Sequence, residues 1–219
     1  MNKIKSLLIK DFLELKSYKK NFIFSLFIYI GLIVLNADNG DMITMGTSMI
    51  IFLFSIYSIA TFNYDEKSKA DKYILCMPVT KREVVLSKYI LIFTSMVLGV
   101  ITSLFLGVIL YFIGIVKISN FNNYFPSLLV LLFTLSIVYG IQIPCIYKYG
   151  AEKGRLQIYL ILMFIFLIIG IIYILFPNIN LEFLNPFEKV IPYILIALII
   201  LNYYISYKIS YNIYLKKEV

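Results

Sequence analysis

Six stretches of the 219-residue sequence contain no Asp, Glu, Lys or Arg: Asn21 to Ala37, Met42 to Tyr64, Tyr89 to Val116, Ile118 to Tyr147, Leu156 to Leu181 and Val190 to Tyr207. They run for 17, 23, 28, 30, 26 and 18 residues. A helix needs roughly 20 apolar residues to cross a hydrocarbon core of about 30 Å, so each stretch is predicted to span once, the first and last only narrowly. The third and fourth have length to spare, enough to tilt or to project beyond the bilayer. The expectation is an all-α membrane protein: one transmembrane domain over 1–219 with spans at about 21–37, 42–64, 89–116, 124–147, 156–176 and 190–207. Composition agrees, at 61% hydrophobic and only 15% charged. Ordinary soluble domains are about a quarter charged, and a soluble chain of this length cannot hide so much apolar surface in one core.

The basic residues predict the orientation. The segment before span one carries six Lys, the loop after span two six Lys/Arg, the loop after span four three and the tail three, which is eighteen of the 20. The opposite side holds only Lys117 and Lys189. Lys and Arg gather on the cytoplasmic side, so both termini are expected in the cytoplasm of a cell bounded by this plasma membrane. The net charge of +8 then reflects topology first and contact with anionic lipid head groups second. No separate basic domain exists to bind nucleic acid. The mixed polar and apolar residues before span one are not expected to form a cleavable signal peptide.

Residue types exclude much chemistry. The chain has no histidine, and its twelve acidic residues lie in or beside polar segments, so zinc hydrolysis and His-based nucleophilic triads are excluded. No span contains Asp, Glu, Lys or Arg, which argues against carriers that move protons or sodium through intramembrane carboxylates. A membrane enzyme is a distant reading, since no span pairs a nucleophile with a base. Gly150 Ala151 Glu152 Lys153 Gly154 lacks the spacing and the preceding strand of a phosphate-cradling loop. The chain is expected to hold no cofactor or metal. Cys76 and Cys145 fall on or near the cytoplasmic side, where thiols stay reduced.

The polar segments are the informative ones. Between Met1 and Lys20, Ile4, Leu7, Leu8, Phe12 and Leu15 recur on one helical face, with Lys3, Lys10, Asp11 and Glu14 off its centre. This predicts an interfacial helix over 1–20; the alternative is a plain extension of span one. In the loop 65–88, a short charged helix from Asp65 to Leu75 is predicted to break at Met77 and Pro78, because proline disfavours helix in the residue before it. A second helix then starts on a capping box, Thr80 with Glu83, flanked by the hydrophobic staple Val79 and Val84. That geometry suits docking of a soluble partner; the competing reading is a solvated charged connector.

The run Tyr64 Asp65 Glu66 Lys67, then Tyr73 Ile74 Leu75, Met77 Pro78 Val79 Thr80 Lys81 Arg82 Glu83 Val84 Val85 and Ser87 Lys88 Tyr89, resembles the cytoplasmic loop of type 2 ATP-binding-cassette exporter permeases. The resemblance implies six spans, an interfacial amino-terminal helix, and a coupling helix between spans two and three that docks into an ATPase subunit. Asp65, Glu66, Lys67, Lys69, Asp71, Lys72 and Tyr73 are then the docking candidates, and Pro78, Thr80 and Glu83 the turn that sets the next helix. ATP and magnesium are expected on that partner subunit, and a second permease, copy or paralogue, beside this one. The family's re-entrant helices between spans five and six would fall at Pro177 to Lys189. The chain has almost no outer domain.

Within the spans, Ser95, Gly99, Ser103 and Gly107 recur every four residues. Such a stripe lets another helix approach closely, either inside one subunit or between two permeases. Gln142 and Pro144 open the fourth span toward a cavity or merely kink it. Asn202, with Tyr203, Tyr204 and Tyr207, reads as an interfacial aromatic belt or a substrate surface. A pathway lined by Phe, Tyr, Ile and Ser suits a hydrophobic or amphipathic cargo, such as a peptide. The leading expectation is therefore the membrane subunit of an ATP-driven exporter; the alternative is a non-transporting immunity or sensor protein that binds a toxic peptide.

Overall fold

The computed structural model describes residues 3–35, 40–114, 118–154, 156–157, 159–161, 163, 167 and 190–216. Seven helices appear among them: α1 Lys3–Ser17, α2 Lys19–Leu35, α3 Gly40–Lys67, α4 Ala70–Leu75, α5 Lys81–Phe112, α6 Ile118–Tyr149 and α7 Ile191–Lys216. No strand occurs among the described residues. Among the described residues, three segments are long and apolar enough to cross a membrane: α5, Leu128–Tyr149 within α6, and α7. Of the fifth predicted span, 156–176, the described residues 156–157, 159–161, 163 and 167 are helical, and the region 177–189 lies outside the described residues.

The chain divides into two compact units, Met1–Leu135 and Ser136–Lys217. In the first, α5 packs chiefly on α3, α2 lies on α3, and α1 rests against both α5 and α3. Lipid tails are as apolar as leucine, so helices in a bilayer are drawn together by close packing between small residues rather than by the hydrophobic effect. The contact face of α5 follows that rule: Ser95, Gly99, Ser103 and Gly107 are all buried. A Cβ on Gly99 would stand 2.9 Å from the Ile51 Cα on α3. The small-residue stripe is thus a packing face within the chain. Facing it, α3 buries Ser55, Ser58 and Thr61, whose hydroxyls donate to the carbonyls of Ile51, Phe54 and Ser58 on their own helix. Phe22 of α2 sets its ring edge-on to Phe54 and Tyr57 at 4.9 and 5.1 Å. Large apolar groups such as Phe24, Phe27, Phe105 and Phe112 point outward, the side that lipid would cover.

The helix ends are set locally. Thr80 is extended, its hydroxyl accepts from the Glu83 N–H, and the Glu83 carboxylate accepts from the Thr80 N–H at 2.7 Å. Two orphan amides of α5 are satisfied by this reciprocal pair, as the capping box requires. Gly150, at φ +88, terminates α6 as only a residue without a Cβ does readily. One expectation is corrected: the charged helix does not run unbroken from Asp65 to Leu75. α3 itself continues to Lys67, and Lys69 adopts the left-handed region (φ 53) before α4 begins. At the stop the Ser68 hydroxyl bonds back to the Tyr64 carbonyl at 2.8 Å, and the left-handed Lys69 turns the chain out of the α3 axis.

In the second unit, Ser206, Ser210 and Tyr214 form a buried line along α7. The Asn202 amide, one turn earlier, donates to the Ser136 carbonyl of α6 at 2.6 Å. Gly140 makes room for it: a Cβ there would lie 2.4 Å from the Asn202 Nδ2. Tyr147 and Tyr214 meet edge to face at 5.3 Å. Gln142 and Pro144 are both buried, and α6 runs through Pro144 without a break.

Candidate functional site: the docking loop and its ionic anchor

The loop between α3 and α5 emerges from two long helices whose ends are tied together. Its chemistry starts on α1. Asp11 sits one helical turn beyond the buried Leu7, on the same face, and is itself only 1% exposed. Lys88, two turns into α5, is 5% exposed. Buried charges persist only when paired and hydrogen-bonded, and both are. The Lys88 Nζ donates to Asp11 Oδ1 at 2.8 Å and to Thr61 Oγ1 at 3.2 Å. It also pairs with Asp65 Oδ2 and lies 5.1 Å from the Phe62 ring centre, a distance at which a cation is attracted to the ring face.

A second cation completes the cluster. Lys10 pairs with the other oxygen of Asp65, with Asp11 at 3.3 Å and with Glu14 at 3.4 Å. Five charged side chains from α1, α3 and α5 thus share one site: Asp11, Glu14 and Asp65 against Lys10 and Lys88. Burial alone would pull the Lys10 ammonium down, but Asp65 beside it, helped by Asp11 and Glu14, holds it well above the usual lysine range. Glu14 moves the other way for an acid. Burial, then the Asp65 carboxylate, push it up against the opposing pull of Lys10 and Lys88.

This cluster brackets the loop. Asp65 is two residues from the end of α3, and Lys88 eight residues past the Thr80 cap. Between them the chain turns outward. Tyr73 on α4 is 69% exposed and Met77 is 47% exposed, while Glu66, Lys67, Lys69, Cys76 and Pro78 also face outward. Asp65, a docking candidate by sequence, is turned inward with a 13% exposed side chain. The side chains of Asp71 and Lys72 lie outside the described set. Thr80 and Glu83 form the expected helix start, with the Glu83 carboxyl held below its usual range by the Thr80 backbone N–H and then its hydroxyl. Of the candidate pathway residues, Asn202 is spent on the Ser136 carbonyl, and Tyr204 carries the Lys208 ammonium 4.7 Å from its ring centre.

Sequence reading placed Lys10, Asp11 and Glu14 off the centre of the apolar face and gave Lys88 no role of its own. A signal was present. Asp11 is one turn from both Leu7 and Leu15, which puts a carboxylate on the buried face of an amphipathic helix, and Lys88 follows the buried Val84 and Val85 by one turn.

Apolar helices of spanning length, joined by a polar loop, define a helical membrane protein. The chain belongs to the ABC-2 family of transporter proteins: the family model described as ABC-2 family transporter protein matches residues 6–215. It is therefore a membrane permease component of an ATP-binding-cassette transporter, a class that normally works with an ATPase subunit. No curated protein and no solved structure gives a significant match.

Proposed function

We propose that the chain is the permease subunit of an exporter in the plasma membrane, crossing it six times with both termini cytoplasmic and pairing with a second permease. The cargo is hydrophobic or amphipathic, in keeping with spans free of fixed charge, and a peptide fits that description. The chain itself hydrolyses nothing; ATP and magnesium belong to the ATPase. That subunit docks on the outward face of the loop, with Tyr73 and Met77 as apolar anchors and Glu66, Lys67 and Lys69 as the charged rim. Aromatic anchors within a polar rim are the usual form of a tight interface.

The observation that carries this reading is the contrast within one loop: Tyr73 is exposed, while the loop's two ends are fixed from behind by a buried ionic cluster. A push on the exposed helix is then delivered to α1, α3 and α5 together instead of being absorbed by a slack connector. Co-purification of the ATPase with the membrane subunit tests it. Tyr73→Asp together with Lys69→Glu should abolish the complex while leaving the permease folded, and full assembly would refute the docking assignment. Cargo is tested separately, by ATPase stimulation with amphipathic peptides against small hydrophilic solutes; a response to the latter alone refutes the cargo class.

A further inference from the structure

The ionic cluster is one positive charge short. Three carboxyl groups, Asp11, Glu14 and Asp65, face two ammonium groups, Lys10 and Lys88, at a site where Asp11 is 1% exposed. Asp65 spends one oxygen on each lysine. Asp11 Oδ2 and Glu14 Oε2 are buried and have no hydrogen-bond partner. Oxygens of the three carboxyls lie within 4.8 Å of one another. Two unpartnered anionic oxygens in one buried cluster cost more than a hydrogen bond can return unless a positive charge or a proton offsets them.

A divalent metal ion is a poor fit. It would displace or repel the Lys10 and Lys88 ammoniums, which already occupy Asp65 fully and Asp11 Oδ1. A single proton balances the inventory to zero and turns one orphan oxygen from an acceptor into a donor. We propose that the anchor binds one proton, held on the Glu14 carboxyl, and that this proton fastens α1 to both ends of the docking loop.

The groups facing Glu14 are Lys10 and Asp11 on its own helix, Asp65 on α3 and Lys88 on α5. Burial and then the Asp65 carboxylate raise the Glu14 carboxyl, with Asp11 adding the smallest share, because carboxylates at close range cannot all ionise cheaply. The direction of the pH effect follows. Glu14 releases its proton at a lower pH in the unfolded chain than in the folded one, so the native state binds the extra proton. The stabilisation is complete below the unfolded value and is lost as pH rises through the folded one. On deprotonation the site carries one net negative charge, and α1 loosens.

Infrared spectroscopy of the purified full-length protein in lipid nanodiscs at neutral pH, free of added metal, tests the assignment. The expected result is a protonated-carboxyl band that disappears in both Glu14→Gln and Asp11→Asn. Thermal unfolding across pH gives a second readout, which the wild type should show as a midpoint falling with rising pH and Glu14→Gln as a midpoint insensitive to it. Absence of the band in wild type overturns the proposal, as does a band untouched by either replacement. Stabilisation by magnesium, calcium or sodium that both replacements abolish overturns it in favour of a metal site. None of these outcomes depends on which cargo is carried or whether an ATPase is bound.

Discussion

Replacing Lys88 by methionine isolates the ionic anchor. Methionine fills a similar volume and keeps the apolar stem packed, so the main loss is the ammonium. That group is the buried partner of both Asp11 and Asp65, donates to Thr61, and sits over Phe62. Without it, three carboxyls face Lys10 alone, and Asp11 keeps only its 3.3 Å pairing with that residue. Removing one member of a buried ion pair costs about 3–5 kcal/mol, because the charge left behind is uncompensated. The cost falls on the attachment of α1, which keeps the Lys10–Asp65 pair to α3 but loses its Lys88 pairing to α5. At about 1.4 kcal/mol per decade, opening of α1 should rise roughly a hundredfold to a few thousandfold. Hydrogen exchange followed by mass spectrometry on the segment Lys3–Ser17 reads this directly. Lys88→Arg, which keeps the charge, should lose far less. Adding Asp11→Asn to Lys88→Met should cost less than the sum of the two, with a coupling of about 0.5–3 kcal/mol. Protection of α1 unchanged within a few-fold in Lys88→Met would refute the reasoning, because the cluster would then be a bystander.

Other consequences are open to simpler measurements. Gly99→Ala places a Cβ 2.9 Å from the Ile51 Cα and should destabilise the α3–α5 pair by about 1–3 kcal/mol in thermal unfolding. Gly31→Ala, where nothing lies within 4 Å, should be neutral or stabilise by about 0.5–1 kcal/mol through helix propensity. Gly140→Ala should be destabilising alone and substantially rescued by Asn202→Ala, since the Asn202 amide is what a Cβ would strike; no rescue would mean that another neighbour sets the spacing. Thr80→Ala removes both the acceptor for the Glu83 N–H and a donor to its carboxylate, and should cost about 1 kcal/mol. Because the Glu83 carboxyl is depressed by that box, its contribution is complete above the ordinary carboxylate range and is lost as pH falls through the lowered value. The signature is an acid-side loss of protection in the first turn of α5 that is reduced in Thr80→Ala, which keeps the backbone N–H, and absent from Glu83→Gln.

How far the sequence carried the reading depends on whether the signal was local. The Thr80–Glu83 box and the start of α5 are encoded within four residues, and the structure holds them as the spacing implied. The packing stripe on α5 was visible as a period of four, but choosing between a contact inside the chain and one between two permeases required the partner, Ile51, to be in place. The ionic anchor was the hardest to see, since its members are separated by 55 and 77 residues and each looks like an ordinary surface charge in its own segment. Asp65 shows why the distinction matters for function. By local context it belongs with Glu66 and Lys67 on a solvated docking helix. By tertiary context it is a lynchpin turned inward, because α3 carries on past the membrane-facing stretch for one more turn and its 61, 65 face meets Lys88. Charges at the ends of a coupling loop therefore need a different reading from charges in its middle. In the docking proposed above, a middle charge faces the ATPase, while an end charge decides whether the docked force reaches the spans. Lys69, in the left-handed turn between α3 and α4, is where one role gives way to the other. It is the first residue past the anchor whose backbone no longer follows α3, so force applied at Tyr73 must cross it before reaching Asp65.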